Sequence, residues 1–506
     1  MKKQLRFLII GALSFLSPLN GVSKELPEKI VQIMQQPRYK HSFWGIYVKD
    51  SGLELNADRF FLPASTTKLF STAALVNAYG NDYRFKTPVF SFGELQNGKL
   101  EGNLVLVGQG DLTFGGRQED SDTIAFTSMD HIIANDVPGA ILTPQDPLYG
   151  LKSLAKEIRE KGIQEINGDI LIDTRLFETI EKRGMILSPV LLNENLIDFT
   201  FDPTKEKELA SFEIRPLVSG YTFENQVVTV AKGEKLEITL EADATGKKIT
   251  AKGKIPLDEK NIVRVFLVQN PAAFVKAAFI DALKAEGIAV HEKNSGKLPP
   301  LNAYQRKEPV ALFVSPPLSE YVKLILKVSH NLGADLVPLL LAAKQNQTTF
   351  DEGMKLLGNF VVDKVRVSKD SFLFVDAAGA DANRLTLQAE IALLNYIQSL
   401  PKEDFQKFYD ALPILGVDGS LQDFGKKTGA VNKVRAKTGT GIALNFSTQE
   451  FFLTTQALSG YLENKDGRPI PFMAVVNNAN MPTMEDIFII FEDLAEVAGA
   501  LHQSLN

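Results

Sequence analysis

The sequence predicts an α/β fold. The two ends of the chain combine into one domain, an antiparallel sheet carrying helices on both faces, and the middle supplies inserted β-rich material. Three observations predict it. An alternating hairpin and an apolar helix open the chain after residue 41, short β-like runs dominate residues 90–295, and a helix-rich block closing on a hairpin and a last helix follows.

Residues 42–56, "SFWGIYVKDSGLELN", alternate around an Asp50-Ser51-Gly52 turn and read as a β-hairpin. "FLPASTTKLFSTAALVNAYG" has apolar residues at 69, 70, 73, 74, 75 and 76 and stops at Gly80, so a largely buried helix is expected from near Ser65. From about 90 to 295 come "NLVLVG", "DILIDTR", "NQVVTVA", "KLEITLEAD" and "KKITAKGKI", interrupted by the helical stretches "LKSLAKEIREKG" and "PAAFVKAAFIDALKAEG". After "SGKLPPLNAY" the text turns helical, with "LSEYVKLILKVSHNLGADLVPLLLAAK" and "LQAEIALLNYIQSL". "QALSGYLENKDGRPIPFMAVVNN" is a hairpin turning at residues 465–468, and a helix near residues 484–504 ends the pattern. The acids of that helix (Glu485, Asp486, Glu492, Asp493, Glu496) make it core-packing rather than membrane-bound.

Residues 1–23 read as a secretory signal peptide: Lys2, Lys3 and Arg6 precede the apolar run Phe7–Leu16, and Gly21-Val22-Ser23 stand before an expected cut at Lys24. Removal of three basic residues and no acids takes the formal net charge from −6 to −9. An exported, periplasmic protein is expected, with no transmembrane segment after signal removal. Its negative charge argues against nucleic acid as a partner. Zero cysteines exclude disulfides, thiolate metal sites and a cysteine nucleophile. His41, His131, His291, His330 and His502 show no ligand spacing, so no metal site is expected.

A serine attacking a carbonyl needs a base, and Ser-x-x-Lys at a helix start supplies one, because i and i+3 share a face and burial lowers the lysine pKa. The pattern occurs at Ser65–Lys68, Ser153–Lys156 and Ser399–Lys402. Ser153 lies in a charge-laced amphipathic helix, and Pro401 breaks the third. Ser65 alone begins an apolar helix, although a plain N-cap would also place a serine there. Ser-x-Asn occurs at Ser329–Asn331, between two apolar helices, and at Ser504–Asn506, in the fraying terminus. Lys-Thr-Gly occurs twice. Lys427-Thr428-Gly429 follows the turn-like "DFGKK", whereas Lys437-Thr438-Gly439 follows the strand-like "NKVRA", and a strand edge is what a peptide-binding cleft needs. Ser65–Lys68, Ser329–Asn331 and Lys437–Gly439 therefore stand in the chain order of the penicillin-recognising enzymes.

On these motifs the chain resembles the penicillin-binding D-alanyl-D-alanine carboxypeptidases/endopeptidases of the type-4, peptidase S13 class. "GQGDLTF", "INGDILID", "NENLIDFTFDP", "LPILGVDGSL", "VRAKTGTG" and "LSGYLENKDGRPIPF" extend the likeness, as does the gap between Ser65 and Ser329, where that family carries two inserted domains. The resemblance implies a transpeptidase-like catalytic domain over 24–88 and 296–506, an inserted β-rich domain over 89–108 and 205–295, and a second inserted α/β domain over 109–204. It implies cleavage of peptidoglycan stem peptides, and inhibition by β-lactam antibiotics, through an acyl-enzyme on Ser65. Lys68 would be the base, Ser329 a proton relay and Asn331 a holder of the substrate amide. Lys437 and Thr438 of the Lys437-Thr438-Gly439 strand would hold the terminal carboxylate, and the backbone N–H groups of Ser65 and Thr440 the oxyanion, with no cofactor. The alternatives are a catalytically weak wall-interaction protein, or a β-lactamase or esterase on the same fold. Two departures stand out. Asp376-Ala377-Ala378-Gly379 replaces the family's Asp-Gly-Ser-Gly, and "GIALNFSTQEFFLTTQA" is longer than its counterpart.

Overall fold

The computed structural model describes residues 24–136 and 139–505. The expected signal peptide lies outside the described residues. The two ends of the chain meet in a five-stranded antiparallel sheet, in the order Leu53–Leu55, Phe43–Val48, Pro469–Asn480, Glu450–Glu463, Val434–Asn445. Side chains of a strand alternate between its faces. Ile46, Val48, Ala474, Val476, Leu458 and Leu462 therefore pack under the C-terminal helix Asp486–Ser504, while Met473, Val475, Ala457 and Tyr461 join the core of the opposite face. Asp493 of the C-terminal helix is buried and accepts the Tyr39 hydroxyl at 2.8 Å, so one of that helix's acids faces inward with a partner.

The opposite face carries Thr67–Tyr79, Leu318–Lys327, Asn331–Lys344 and Leu387–Gln398. Thr67–Tyr79 is apolar almost all round because it is enclosed: Leu69, Phe70, Ala73, Ala74 and Leu75 are buried, each large side chain contributing roughly 1.5–3 kcal/mol. It stops where Gly80 takes a φ of +83° with a ψ of 151°, an extended backbone of positive φ that glycine, lacking a Cβ, adopts readily.

The middle of the chain forms further sheets. Lys86–Gln96 and Lys99–Val107 pair antiparallel; Ile170–Asp173 runs parallel to the second, and Ala311–Val314 pairs with the first. Leu196–Asp202 lies between Ser211–Arg215 and Ile262–Leu267. Thr222–Val230, Lys248–Pro256 and Glu237–Ala242 form a separate three-stranded sheet. One buried cluster runs through this material, joining Leu104, Ile170, Leu154, Phe199, Val227, Ile249 and Phe279. Strand pairing thus crosses the expected boundaries at 108/109, 204/205 and 295/296. Local alternation reveals a strand but not its partner.

Candidate active site

Pro63 and Ala64 lead into a 3₁₀ turn, Ala64–Thr66, that runs directly into the Thr67–Tyr79 helix. Ala64 has a φ of +45°, a left-handed backbone that non-glycine residues rarely adopt, and it turns Ser65 into the cleft. Ser65 is half-buried and Lys68, one turn on, is fully buried. Lys68 Nζ donates to Ser65 Oγ at 2.7 Å, to Asn331 Oδ1 at 2.8 Å and to the Ala378 carbonyl at 2.7 Å. Burial, opposed by the carboxylate of Asp335 and assisted by Arg183, brings its pKa down to about 7.

Ser329 and Asn331 come from the tight link between Leu318–Lys327 and Asn331–Lys344, where Ser329 has a φ of +60°. Lys437 is buried on the edge strand Val434–Asn445, and its Nζ donates to Ser329 Oγ at 2.8 Å and to the Thr438 carbonyl at 2.7 Å. Burial, and next the charge of Lys68, push the Lys437 ammonium well below the ordinary lysine value. Thr438 Oγ1 lies 2.9 Å from Ser420 Oγ, and Thr440 Oγ1 donates to Gln456 Oε1 at 2.8 Å. Gly439 permits the edge strand to press against the Ala64–Thr66 turn, since a Cβ there would stand 2.3 Å from the Pro63 carbonyl oxygen.

Six of the expected residues thus form two hydrogen-bonded groups, Ser65–Lys68–Asn331 and Ser329–Lys437–Thr438, which the backbone of the Ser329–Asn331 turn holds side by side. Gly439 and Thr440 continue the strand past Ser65's turn. The remaining motif copies lie elsewhere. Lys427-Thr428-Gly429 is a turn under the C-terminal helix, with Gln503 Nε2 donating to the Thr428 carbonyl. Lys156 is exposed and faces Glu160, and Ser399 caps a helix end by donating to the Tyr396 carbonyl. Ser504 does the same on Leu501.

Several site residues gave no spacing signal. The Asp376–Gly379 loop works through its backbone: Ala378 O accepts from Lys68, and Ala377 O from Ser71 Oγ at 3.0 Å. Gly379 has a φ of +110° and lies so close to Ala64 that a Cβ would meet its carbonyl at 2.1 Å. Asp376 accepts the Gly379 and Ala380 N–H groups at 2.9 Å and pairs with Arg183. Arg183, at the tip of the short Ile180–Lys182/Met185–Leu187 hairpin, also reaches Asp335 at 3.4 Å. Asp335 stands four residues after Asn331, on the same helix face, and its pKa is raised to about 6 by burial and then by Asp376. Ser420 was visible only as part of "LPILGVDGSL".

Behind the cleft Asp130, Glu194 and His330 present ligand atoms within 4.8 Å of one another. Arg117 already bonds both carboxylates and His131 bonds Glu194, so cations of the chain itself fill the place of an ion. Burial lowers the His131 pKa, but Asp198 and Glu194 outweigh it and hold it up to about 10.

A serine hydrogen-bonded to a buried lysine of lowered pKa, with a second lysine on the edge strand, is the arrangement of groups that acyl transfer by a serine enzyme requires. Comparison makes the class more particular: the chain belongs to the D-Ala-D-Ala carboxypeptidase 3 (S13) family, matched over residues 26–493. It is therefore a hydrolase of the serine carboxypeptidase class. It is 25% identical over 537 residues to the D-alanyl-D-alanine carboxypeptidase of Actinomadura sp. (strain R39), covering 98% of this chain and 89% of that protein. To the D-alanyl-D-alanine carboxypeptidase DacB of Haemophilus influenzae it is 24% identical over 453 residues, covering 85% of this chain and 84% of the relative. The fold matches the crystal structure of penicillin binding protein 4 from Haemophilus influenzae with a TM-score of 0.68, at 21% identity, over 94% of this chain and 99% of the other.

Proposed function

We propose that this chain cleaves the D-Ala-D-Ala end of peptidoglycan stem peptides through an acyl-enzyme on Ser65, and that β-lactams acylate the same oxygen. One observation carries the reading: the fully buried Lys68 Nζ lies 2.7 Å from Ser65 Oγ and is shared with Asn331. The partners of Lys68 support its role as the base. Asn331 Oδ1 and the Ala378 carbonyl can only accept, so both retain a lysine N–H in either charge state. When the amine is neutral its lone pair is left for Ser65, whose O–H then donates to it. With a pKa near 7 that form is well populated in neutral solution.

The remaining steps follow from position. As Ser65 Oγ bonds to the carbonyl carbon, its proton passes to Lys68 Nζ. The oxyanion is held by the backbone N–H groups of Ser65 and Thr440. The C–N bond then breaks, and the proton taken up by Lys68 reaches the leaving amine by way of Ser329, which gives one proton and receives one; water then adds to the acyl carbon, its proton passing to Lys68, and the Ser65 Oγ–C bond breaks as that proton returns to Ser65 Oγ. Lys437 and Thr438 take the terminal carboxylate, which restores the charge that burial disfavours on Lys437. Asn331 holds the substrate amide. Export to the periplasm by residues 1–23 would bring the enzyme to this substrate; no described helix is long and apolar enough to cross a membrane.

The test is a digestion of purified muropeptides, with products weighed. Release of one D-alanine from pentapeptide stems is the expected carboxypeptidase result, and conversion of cross-linked dimers to monomers the endopeptidase one. Intact pentapeptides and dimers after incubation with acylatable enzyme would contradict the proposal.

A further inference from the structure

Between Ser329 and Asn331 stands His330, and its side chain points away from the cleft. Ser329 reaches Lys437 and Asn331 reaches Lys68, while the fully buried His330 ring lies 2.7 Å from Glu194 Oε2. Its Nδ1 accepts the Gly333 N–H at 3.0 Å, capping the Asn331–Lys344 helix. Nε2 therefore carries the hydrogen and donates to Glu194. The turn is thus held from two sides, by two lysines in front and one carboxylate behind.

Glu194 belongs to the inserted part of the chain, and its surroundings hold it rigidly. Asn193, Glu194 and Asn195 have φ values of 48°, 59° and 61°, three consecutive left-handed residues, all buried. Such a turn persists only where its neighbours over-determine it. Arg117 Nε bonds Glu194 Oε1, and His131 Nε2 lies 3.1 Å from Oε2. Arg117 is in turn 2.8 Å from Asp130, and His131 Nδ1 2.7 Å from Asp198. A buried ionic network adds little net stability, and geometric specificity is its better-attested use.

We propose that Glu194 is a positioning residue for the acyl transfer: through His330 it fixes the rotation of the Ser329–Asn331 turn, and with it the approach of Ser329 to Lys437 and of Asn331 to Lys68. The inserted segment is thereby part of the catalytic apparatus. This inference rests on the reading of Ser329 and Asn331 as cleft residues.

Five variants of the whole chain test it. His330→Asn keeps a good helix cap but cannot reach Glu194. Glu194→Gln keeps the volume and removes the charge. Their double variant measures coupling, and Ser329→Ala tests the underlying reading. The saturating rate constant for β-lactam acylation and the encounter constant are measured per folded enzyme. Each of the two single variants at 194 and 330 should lower the rate constant on the order of 10- to 100-fold with the encounter constant unchanged. The double should be no slower than the slower single. The inference is overturned if the two effects multiply in the double, or if folded His330→Asn acylates at the parent rate. That second outcome decides alone should Glu194→Gln not fold. Asp198→Asn disturbs the same network without touching His330; it should lower Tm and leave acylation unchanged, and an equal slowing there would also overturn the inference. If Ser329→Ala acylates at the parent rate, the reading of the turn fails and takes this inference with it. A slow Ser329→Ala beside a normal His330→Asn sinks this inference alone.

Discussion

At the scale of residues, the proposed chemistry turns on the charge of Lys68. Full burial depresses its pKa to about 7, with Asp335 pulling upward and Arg183 downward. A general base acts in its neutral form, which predominates above that value. The rate of β-lactam acylation should therefore climb about tenfold per pH unit below pH ~7 and level off above it. Stopped-flow acylation from about pH 5 to about pH 9 checks this, and a flat profile would remove Lys68 as the base. The Ser65–Lys68 pair was legible in the sequence because its geometry is local: three positions along a helix fix the two side chains relative to each other. Arg183 and Asp335 were not legible. They act on Lys68 across long sequence separations, and no spacing rule links residues 183, 335 and 376.

At the scale of elements, identical tripeptides test what a strand adds. Lys437 lies buried on a sheet edge and bonds Ser329, whereas Lys427 is exposed in a turn beneath the C-terminal helix. Lys437→Ala should slow acylation roughly ten- to a hundred-fold, the equivalent of a hydrogen bond to a charged group, about 1.5–3 kcal/mol. Lys427→Ala should leave the rate unchanged. Acylation rates of the two variants with one β-lactam give the comparison; the reverse result would move the cleft. Alternation before Lys437 made this strand readable from the sequence. The stretch after Thr440 extends the antiparallel pair Val434–Asn445/Glu450–Glu463, with a register shift between Gly441 and Ile442 and an exposed tip at Phe446. In the Asp376-Ala377-Ala378-Gly379 loop, where the family's serine hydroxyl is replaced by the Ala378 methyl, Lys68 and Ser71 bond carbonyl oxygens of the backbone.

At the scale of the whole molecule, the cleft exists only because distant parts of the chain converge. The Ala64–Thr66 turn, the link between two helices and the closing sheet contribute Ser65, Ser329 and Lys437, and the inserted region adds Arg183 in front and Glu194 behind. The sequence reveals this convergence through motif order and through the β-rich texture of the middle. It conceals how the inserted strands pair, because alternation identifies a buried face without naming the strand beside it; Lys99–Val107 and Ile170–Asp173 are partners that no local pattern joins. The central claim is that one serine among three Ser-x-x-Lys copies is the nucleophile, selected by its place in this assembly. Peptide mapping after reaction with a labelled penicillin tests it most directly. The adduct should be found on Ser65 alone and should vanish in Ser65→Ala; a label on Ser153 or Ser399, or no label on the folded protein, would contradict the account.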